Sequence, residues 1–134
     1  MLINLLRGVL MRCPFCRLEP DRIILDAPSA VAILDGFPVS PGHMLIIPKR
    51  HIASWFDVTE EEQRDLFGLL QRARIYLMDQ YGSQGFNIGI NDGVAAGQTV
   101  MHLHIHLIPR YSGDQADPRG GVRRIFPDKA NYWE

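Results

Sequence analysis

The chain has 134 residues, 14 Lys and Arg against 15 Asp and Glu, and a formal net charge of −1. That length can bury one sizeable core. Near-neutral charge with no long basic run argues against a surface that follows nucleic-acid phosphates, and no apolar stretch approaches the roughly 18 residues of a membrane span. The expectation is a cytoplasmic protein whose partner is neither nucleic acid nor membrane.

Residues 1–11 open apolar, but Arg7 interrupts the run and no small-residue cleavage site follows. They read as an N-terminal extension, either frayed or a start placed ahead of Met11, with one domain and its tail over 12–134. The only two cysteines lie in Cys13-Pro14-Phe15-Cys16. In a cytosolic chain such a pair suggests metal or redox chemistry before a structural disulfide.

Two short strands are predicted at 22–25 and 30–34, parted by the turn residues Asp26, Pro28 and Ser29 and most simply paired as a hairpin. A turn-rich loop, 35–42, leads into a third strand at 43–47 closed by Pro48. Residues 52–56 suggest a short helical turn. Thr59-Glu60-Glu61-Glu62 is a capping box, and the apolar recurrence of Leu66, Leu69, Leu70, Ala73, Ile75, Tyr76 and Leu77 predicts a long helix to about Gln80, stopped by Gly82. Trp55 and Phe56 read as core. A fourth strand is expected at 85–90, a small-residue loop over 91–97, and a turn-rich tail whose Tyr132 and Trp133 suggest a docked end.

Residues 101–109 alternate strictly, His102, His104 and His106 with Leu103, Ile105 and Leu107, which predicts a strand with three imidazoles on one face. Neighbouring imidazoles would stand roughly 6.7 Å apart. With His43 and His51 flanking the third strand, all five histidines belong to two strands, and if these are neighbours the imidazoles cluster. Such a cluster serves zinc binding or nucleophilic and general acid-base work. A closed zinc site needs four ligands, which Cys13, Cys16, His51 and His102 could supply, leaving His43, His104 and His106 for catalysis. A redox pair is the rival for the cysteines, weakened because no βαβ pattern follows them. The loop Gly97-Gln98-Thr99 could bring backbone N–H groups, an amide and a hydroxyl to a phosphate. An attacking histidine must be neutral and fixed in one tautomer, and in a strand the nearest fixed acceptor is a backbone carbonyl.

Pro41-Gly42-His43, Pro48-Lys49-Arg50-His51 and Gly97-Gln98-Thr99-Val100-Met101 leading into the alternating histidines together resemble the histidine-triad (HIT) family over roughly 13–110. The 91–99 stretch is similar to the fragile-histidine-triad and dinucleoside-polyphosphate branch, and the cysteine pair is similar to bacterial members that carry a structural zinc. The resemblance implies an α+β fold with an antiparallel sheet of about five strands, one long and one short helix, and a homodimer. It also implies nucleotide substrates, with diadenosine polyphosphates the leading expectation and nucleoside phosphoramidates or a non-catalytic nucleotide-binding scaffold as alternatives. It makes His104 the nucleophile toward the α-phosphorus, with His106 and His43 orienting it and stabilising charge. Gln98 and Thr99 would hold phosphate or leaving group, Asn91 the ribose-phosphate region and Asp35 the ribose hydroxyls. The implied zinc ligands are Cys13, Cys16, His51 and His102. The chain has no carboxylate cluster that would demand catalytic magnesium, although magnesium can enter with the polyphosphate.

Overall fold

The computed structural model describes residues 12–133, so the expected extension over 1–11 lies outside them. Five strands, β1 (Ile23–Asp26), β2 (Ala30–Leu34), β3 (Met44–Pro48), β4 (Gly85–Gly89) and β5 (Ile105–Arg110), form one antiparallel sheet in the order β1-β2-β3-β5-β4. Among the described residues one long helix, α1 (Glu60–Tyr81), covers one face. This is the expected α+β arrangement, with the predicted hairpin as β1 and β2.

The start of α1 is the predicted capping box. Thr59 Oγ1 accepts from the Glu62 N–H at 3.1 Å, and Glu62 accepts from the Thr59 N–H at 3.0 Å. Gly82, at φ 66°, ends the helix and donates its N–H to the Met78 carbonyl. Leu66, Leu69, Ala73 and Leu77 recur at helical spacing and bury against Ala30, Ala32, Met44, Ile46, Ile105 and Leu107. Each buried leucine is worth about 1.5–3 kcal/mol, far more than the few tenths by which helix propensities differ, so the stripe and not propensity holds the helix. Ile75 falls off that stripe and is 59% exposed, and Phe56 is 84% exposed. Both were expected inside; Trp55 does pack on the core edge and on Phe67. The short helical turn is a 3-10 turn at Trp55–Asp57.

Strand parity sends Val31, Ile33, Leu45 and Ile47 to the opposite face, where Phe15, Leu18 and Ile23 pack on them. His106 pairs with Leu45 across β3 and β5 and so shares this helix-free face.

The histidine strand starts later than predicted. β3 and β5 pair only from Ile46 with Ile105 onward, and β3 ends at Pro48, which has no N–H to offer the ladder. Residues 101–104 are instead held by the chain following β3: the Leu103 N–H donates to the Ile52 carbonyl at 2.6 Å, and the His102 ring to the Pro48 carbonyl. The expected single row of three imidazoles is therefore split, with His102 turned away from His104 and His106.

The tail docks, with Trp133 half-buried and Tyr132 exposed. Ala130 is buried at 3% exposure while Tyr132 stays 69% exposed, with the Arg123 guanidinium over its ring and Arg119 over Trp133. Between the tail, β5 and residues 39–41 lies a cavity of about 380 Å³, lined by Ser40, Asn87, Ile108, Arg110 and Arg124 among others. Arg110 is already taken there by Asp114 and Asn87, at 2.8 Å each.

Gly42 sets the approach of the loop to β3. Its φ is +84°, and a Cβ there would lie 2.8 Å from Leu77 Cδ2 and 3.1 Å from the Tyr81 ring. Gly42→Ala should cost about 2–4 kcal/mol in urea unfolding, combining the left-handed backbone penalty with overpacking against the helix.

Candidate active site and metal centre

Four side chains from three segments converge beyond the end of β3. Cys13 and Cys16 come from the N-terminal turn, His51 follows β3, and His102 precedes β5. The His102 Nδ1 lies 3.3 Å from Cys13 Sγ, 3.4 Å from Cys16 Sγ and 3.2 Å from His51 Nδ1, and Cys16 Sγ lies 3.1 Å from His51 Nδ1. All four donor atoms fall within 4.8 Å of one another. A tetrahedral Cys₂His₂ zinc site, with bonds of about 2.3 Å to sulfur and 2.0–2.1 Å to nitrogen, has ligand edges of roughly 3.3–3.8 Å, so these residues fit such an ion. The His102 Nε2 donates to the Pro48 carbonyl at 2.8 Å, which leaves Nδ1 as a lone pair facing the cluster. Burial, and then the Cys13 thiol beside it, push the Cys16 thiol up to about 11, and a bound cation would supply the charge that favours the thiolate. The segment before His51 is pinned by Arg50, which makes two bonds to the buried Glu62 carboxylate at 3.2 and 2.8 Å.

The other three histidines form a second group on the helix-free face. Their tautomers follow from their partners. The His43 Nδ1 accepts from the Val39 N–H at 3.2 Å, so in the neutral ring Nε2 carries the proton. That Nε2 donates to His106 Nδ1 at 2.9 Å, with Asp35 Oδ2 at 3.4 Å from it. His106 in turn keeps its own proton on Nε2. The His104 Nδ1 donates to the His102 carbonyl at 2.8 Å, which leaves the His104 Nε2 as a lone pair. Backbone carbonyl is the acceptor type expected for it. Among the described residues no hydrogen-bond partner meets either the His104 or the His106 Nε2. The two rings stand 5.1 Å apart, so a nucleophilic lone pair and an N–H donor lie side by side. Asp35, His43 and His106 also lie close enough to share an ion, but the His43 Nε2 and the His106 Nδ1 already face each other in this relay.

Burial holds His43 below the ordinary histidine range, against the pull of Asp35. His106 is lowered by burial first and then by His104 and His43. Both are therefore neutral at pH 7.

The small-residue loop plays a part different from the expected one. The Gln98 amide is buried and fully used: its oxygen accepts from the Gly93 N–H at 2.8 Å, and its nitrogen donates to the Ala53 and Val100 carbonyls at 2.9 and 3.1 Å. With both amide hydrogens spent it ties the loop to the chain after β3 and has none left for a phosphate. Asp92 acts similarly, accepting from Ser54 Oγ and the Trp55 N–H. Thr99 and Asn91 are exposed. Asp35 follows β2 on the helix-free face, one carboxylate oxygen accepting from the Phe37 N–H at 2.8 Å and the other near His43. Sequence reasoning did not single out Phe15, which packs against the His104 ring, or the Val39 N–H that sets the His43 tautomer. The first could have been suspected from its place between two candidate ligands. The second is a backbone group and leaves no signal.

The family model of the HIT domain matches residues 17–113, a span that excludes both cysteines. A bis(5'-nucleosyl)-tetraphosphatase [asymmetrical] of Schizosaccharomyces pombe is 43% identical over 77 residues, covering 58% of this chain and 42% of that protein. A bis(5'-adenosyl)-triphosphatase of Saccharomyces cerevisiae is 33% identical over 118 residues, covering 87% of this chain and 54% of that protein. The chain thus spans about half the length of the curated relatives it matches. Among solved structures, a Zn-bound histidine triad family protein from Mycobacterium smegmatis superposes with a TM-score of 0.72 at 35% identity, over 81% of each chain.

The buried neutral imidazoles give stability a pH dependence of fixed sign. Because His43 and His106 are depressed in the fold, the unfolded chain takes up protons first as pH falls; their contribution is complete above about pH 6.5 and is lost toward their lowered values. The Tm should hold steady above that pH and decline below it, and His106→Asn should flatten the decline in thermal melts across a buffer series.

Proposed function

The chain belongs to the HIT family, and from that premise we propose that it is a nucleotide hydrolase, cleaving diadenosine polyphosphates at the α-phosphate through a nucleotidyl-His104 intermediate. The observation that carries this reading is the bond from the His104 Nδ1 to the His102 carbonyl, which leaves a lone pair on the His104 Nε2 beside the N–H of His106. The named activities of the two yeast relatives support the substrate class.

In the first displacement the His104 Nε2 attacks the α-phosphorus, an N–P bond forms, and the P–O bond to the rest of the polyphosphate breaks, that group leaving as an anion. In the second a water oxygen attacks the same phosphorus and the N–P bond breaks, releasing a nucleoside monophosphate and returning His104 to its neutral form. His106 donates its Nε2 proton as a hydrogen bond to the phosphoryl oxygen on which charge develops, and His43 holds His106 in the tautomer that makes this possible. Asp35 serves the ribose hydroxyls at the β2 end of the face, and Thr99 and Asn91, both exposed on the loop, serve the phosphates and ribose-phosphate region. Gln98 shapes that loop. When bound by Cys13, Cys16, His51 and His102, zinc supplies a structural crosslink between the N-terminal turn and the residues leading into β5. A cytoplasmic homodimer completes the proposal; the outer side of β4 is a sheet edge with no strand partner among the described residues, and Ile88 on it is 49% exposed.

His104→Ala should cut turnover of diadenosine tetraphosphate by on the order of 10⁴-fold or more while nucleotide affinity is retained, and His106→Ala by about 10²–10⁴-fold. An acid-free quench during turnover should trap one nucleoside monophosphate per chain on His104, labile to acid and stable to base. A label on another histidine, or turnover undiminished in His104→Ala, would remove the reading. Faster cleavage of adenosine phosphoramidate than of the tetraphosphate would keep the mechanism and change the substrate.

Elemental analysis should find one zinc per chain. Chelation should lower the Tm and open the segment before Ile23 to protease, because an ion bound only by the folded state stabilises it by mass action.

A further inference from the structure

The His104 imidazole is flanked by two rings. His106 stands at 5.1 Å between centroids and 72° between planes, and Phe15 stands at 5.1 Å and 57°. Phe15 also meets the His102 ring edge-on at 5.9 Å, and it rests on the apolar patch of Val31, Ile33, Leu45 and Ile47. The cysteines on either side fix its position. The Cys16 N–H donates to the Cys13 carbonyl at 3.2 Å, closing a tight turn around Phe15, and both thiols face His102. One aromatic ring therefore touches a histidine of the metal centre and the histidine whose lone pair is free.

A single hydrogen bond at Nδ1 fixes which nitrogen of His104 carries the proton but leaves the ring able to swing about that bond. Two rings each 5.1 Å away restrict the swing. From this arrangement we infer that Phe15 is a positioning residue: the Cys13–Cys16 turn presses its ring against His104, so that an intact Cys/His centre sets the aim of the His104 Nε2. The inference rests on the reading of His104 as the attacking group. A loosened Cys13–Cys16 turn withdraws Phe15 and unsettles the His102 carbonyl together, so both restraints on His104 fail at once. Aim affects the chemical step and not substrate capture, which lies with other residues.

The test compares the zinc-loaded native protein with Phe15→Leu and Phe15→Tyr. The readouts are kcat and KM for diadenosine tetraphosphate and, without substrate, two-bond ¹H–¹⁵N correlation spectra of the His104 ring, which separate a fixed Nδ1–H tautomer from an averaging one. Since a misplacement of about 1 Å can cost about 10²-fold in rate, Phe15→Leu should lose roughly 10-fold or more in kcat with KM changed less than about twofold. Its zinc content should be unchanged, its His104 signals should move toward tautomer averaging, and Phe15→Tyr should restore both readouts. Native protein stripped of zinc should show the same His104 spectral change, a measurement that does not depend on the variant folding. An unchanged His104 spectrum in both Phe15→Leu and stripped protein would overturn the inference, as would a rise in KM at constant kcat, which would make Phe15 a substrate contact. If the spectrum changes as expected but native protein forms no adduct on His104, the brace stands and the nucleotidyl-transfer reading falls.

Discussion

The carbonyl of His102 accepts the His104 Nδ1 proton at 2.8 Å while the His102 side chain, fully buried, points into the cysteine pair and donates its far nitrogen to Pro48. One residue thus belongs to both centres, the side chain to one and the main chain to the other. It can do so only because the chain leaves the β ladder before Ile105. In a regular strand that carbonyl would be committed to a neighbouring strand or to solvent, and the ring would stand in the same row as its two neighbours. Pro48 enforces the departure twice, by offering no N–H to the ladder and by presenting its own carbonyl to His102.

The surrounding structure holds this arrangement from outside. Glu62 closes the helix cap, and its carboxylate, held below the usual range first by the Arg50 guanidinium, binds the residue directly before His51. The helix start and the loop that carries His51 are therefore one hydrogen-bonded unit. Glu62 is buried while the Arg50 side chain reaches solvent, so Arg50 is the group that compensates the buried carboxylate. Gln98 does the equivalent for the loop on the other side of the site, spending every amide position on main chain.

Much of this could be read in the sequence, for identifiable reasons. The β2 bounds, the helix with its cap and stop, and the helix-free face of His106 all follow from periodicity and local hydrogen-bonding chemistry, which act over a few residues. The meeting of Cys13, Cys16, His51 and His102 is legible because Cys-x-x-Cys and histidine have few other joint uses, and the backbone acceptor of His104 because strands offer little else. What failed depended on contacts made elsewhere in the chain. Alternation over 101–109 could not reveal that Ile52 would capture the Leu103 N–H, and a glutamine beside a threonine carries no mark of which carbonyls its amide will reach. Ile75 and Phe56 failed because apolar character alone does not say which side of a stripe meets the sheet.

The cysteine pair lies 89 residues from His102 at its longest contact. Loop-closure entropy makes such a meeting late, since nothing local rewards it until the sheet between them exists. In an unfolded chain only the adjacent thiols of Cys13 and Cys16 are near enough to share an ion, while the complete four-ligand set exists only once β3 and β5 have paired. With zinc bound there as proposed, metal capture would act as a checkpoint on folding. A nascent or damaged chain would then hold an ion weakly through its first turn, and tight retention would mark a molecule in which the remote end of the sheet has already closed.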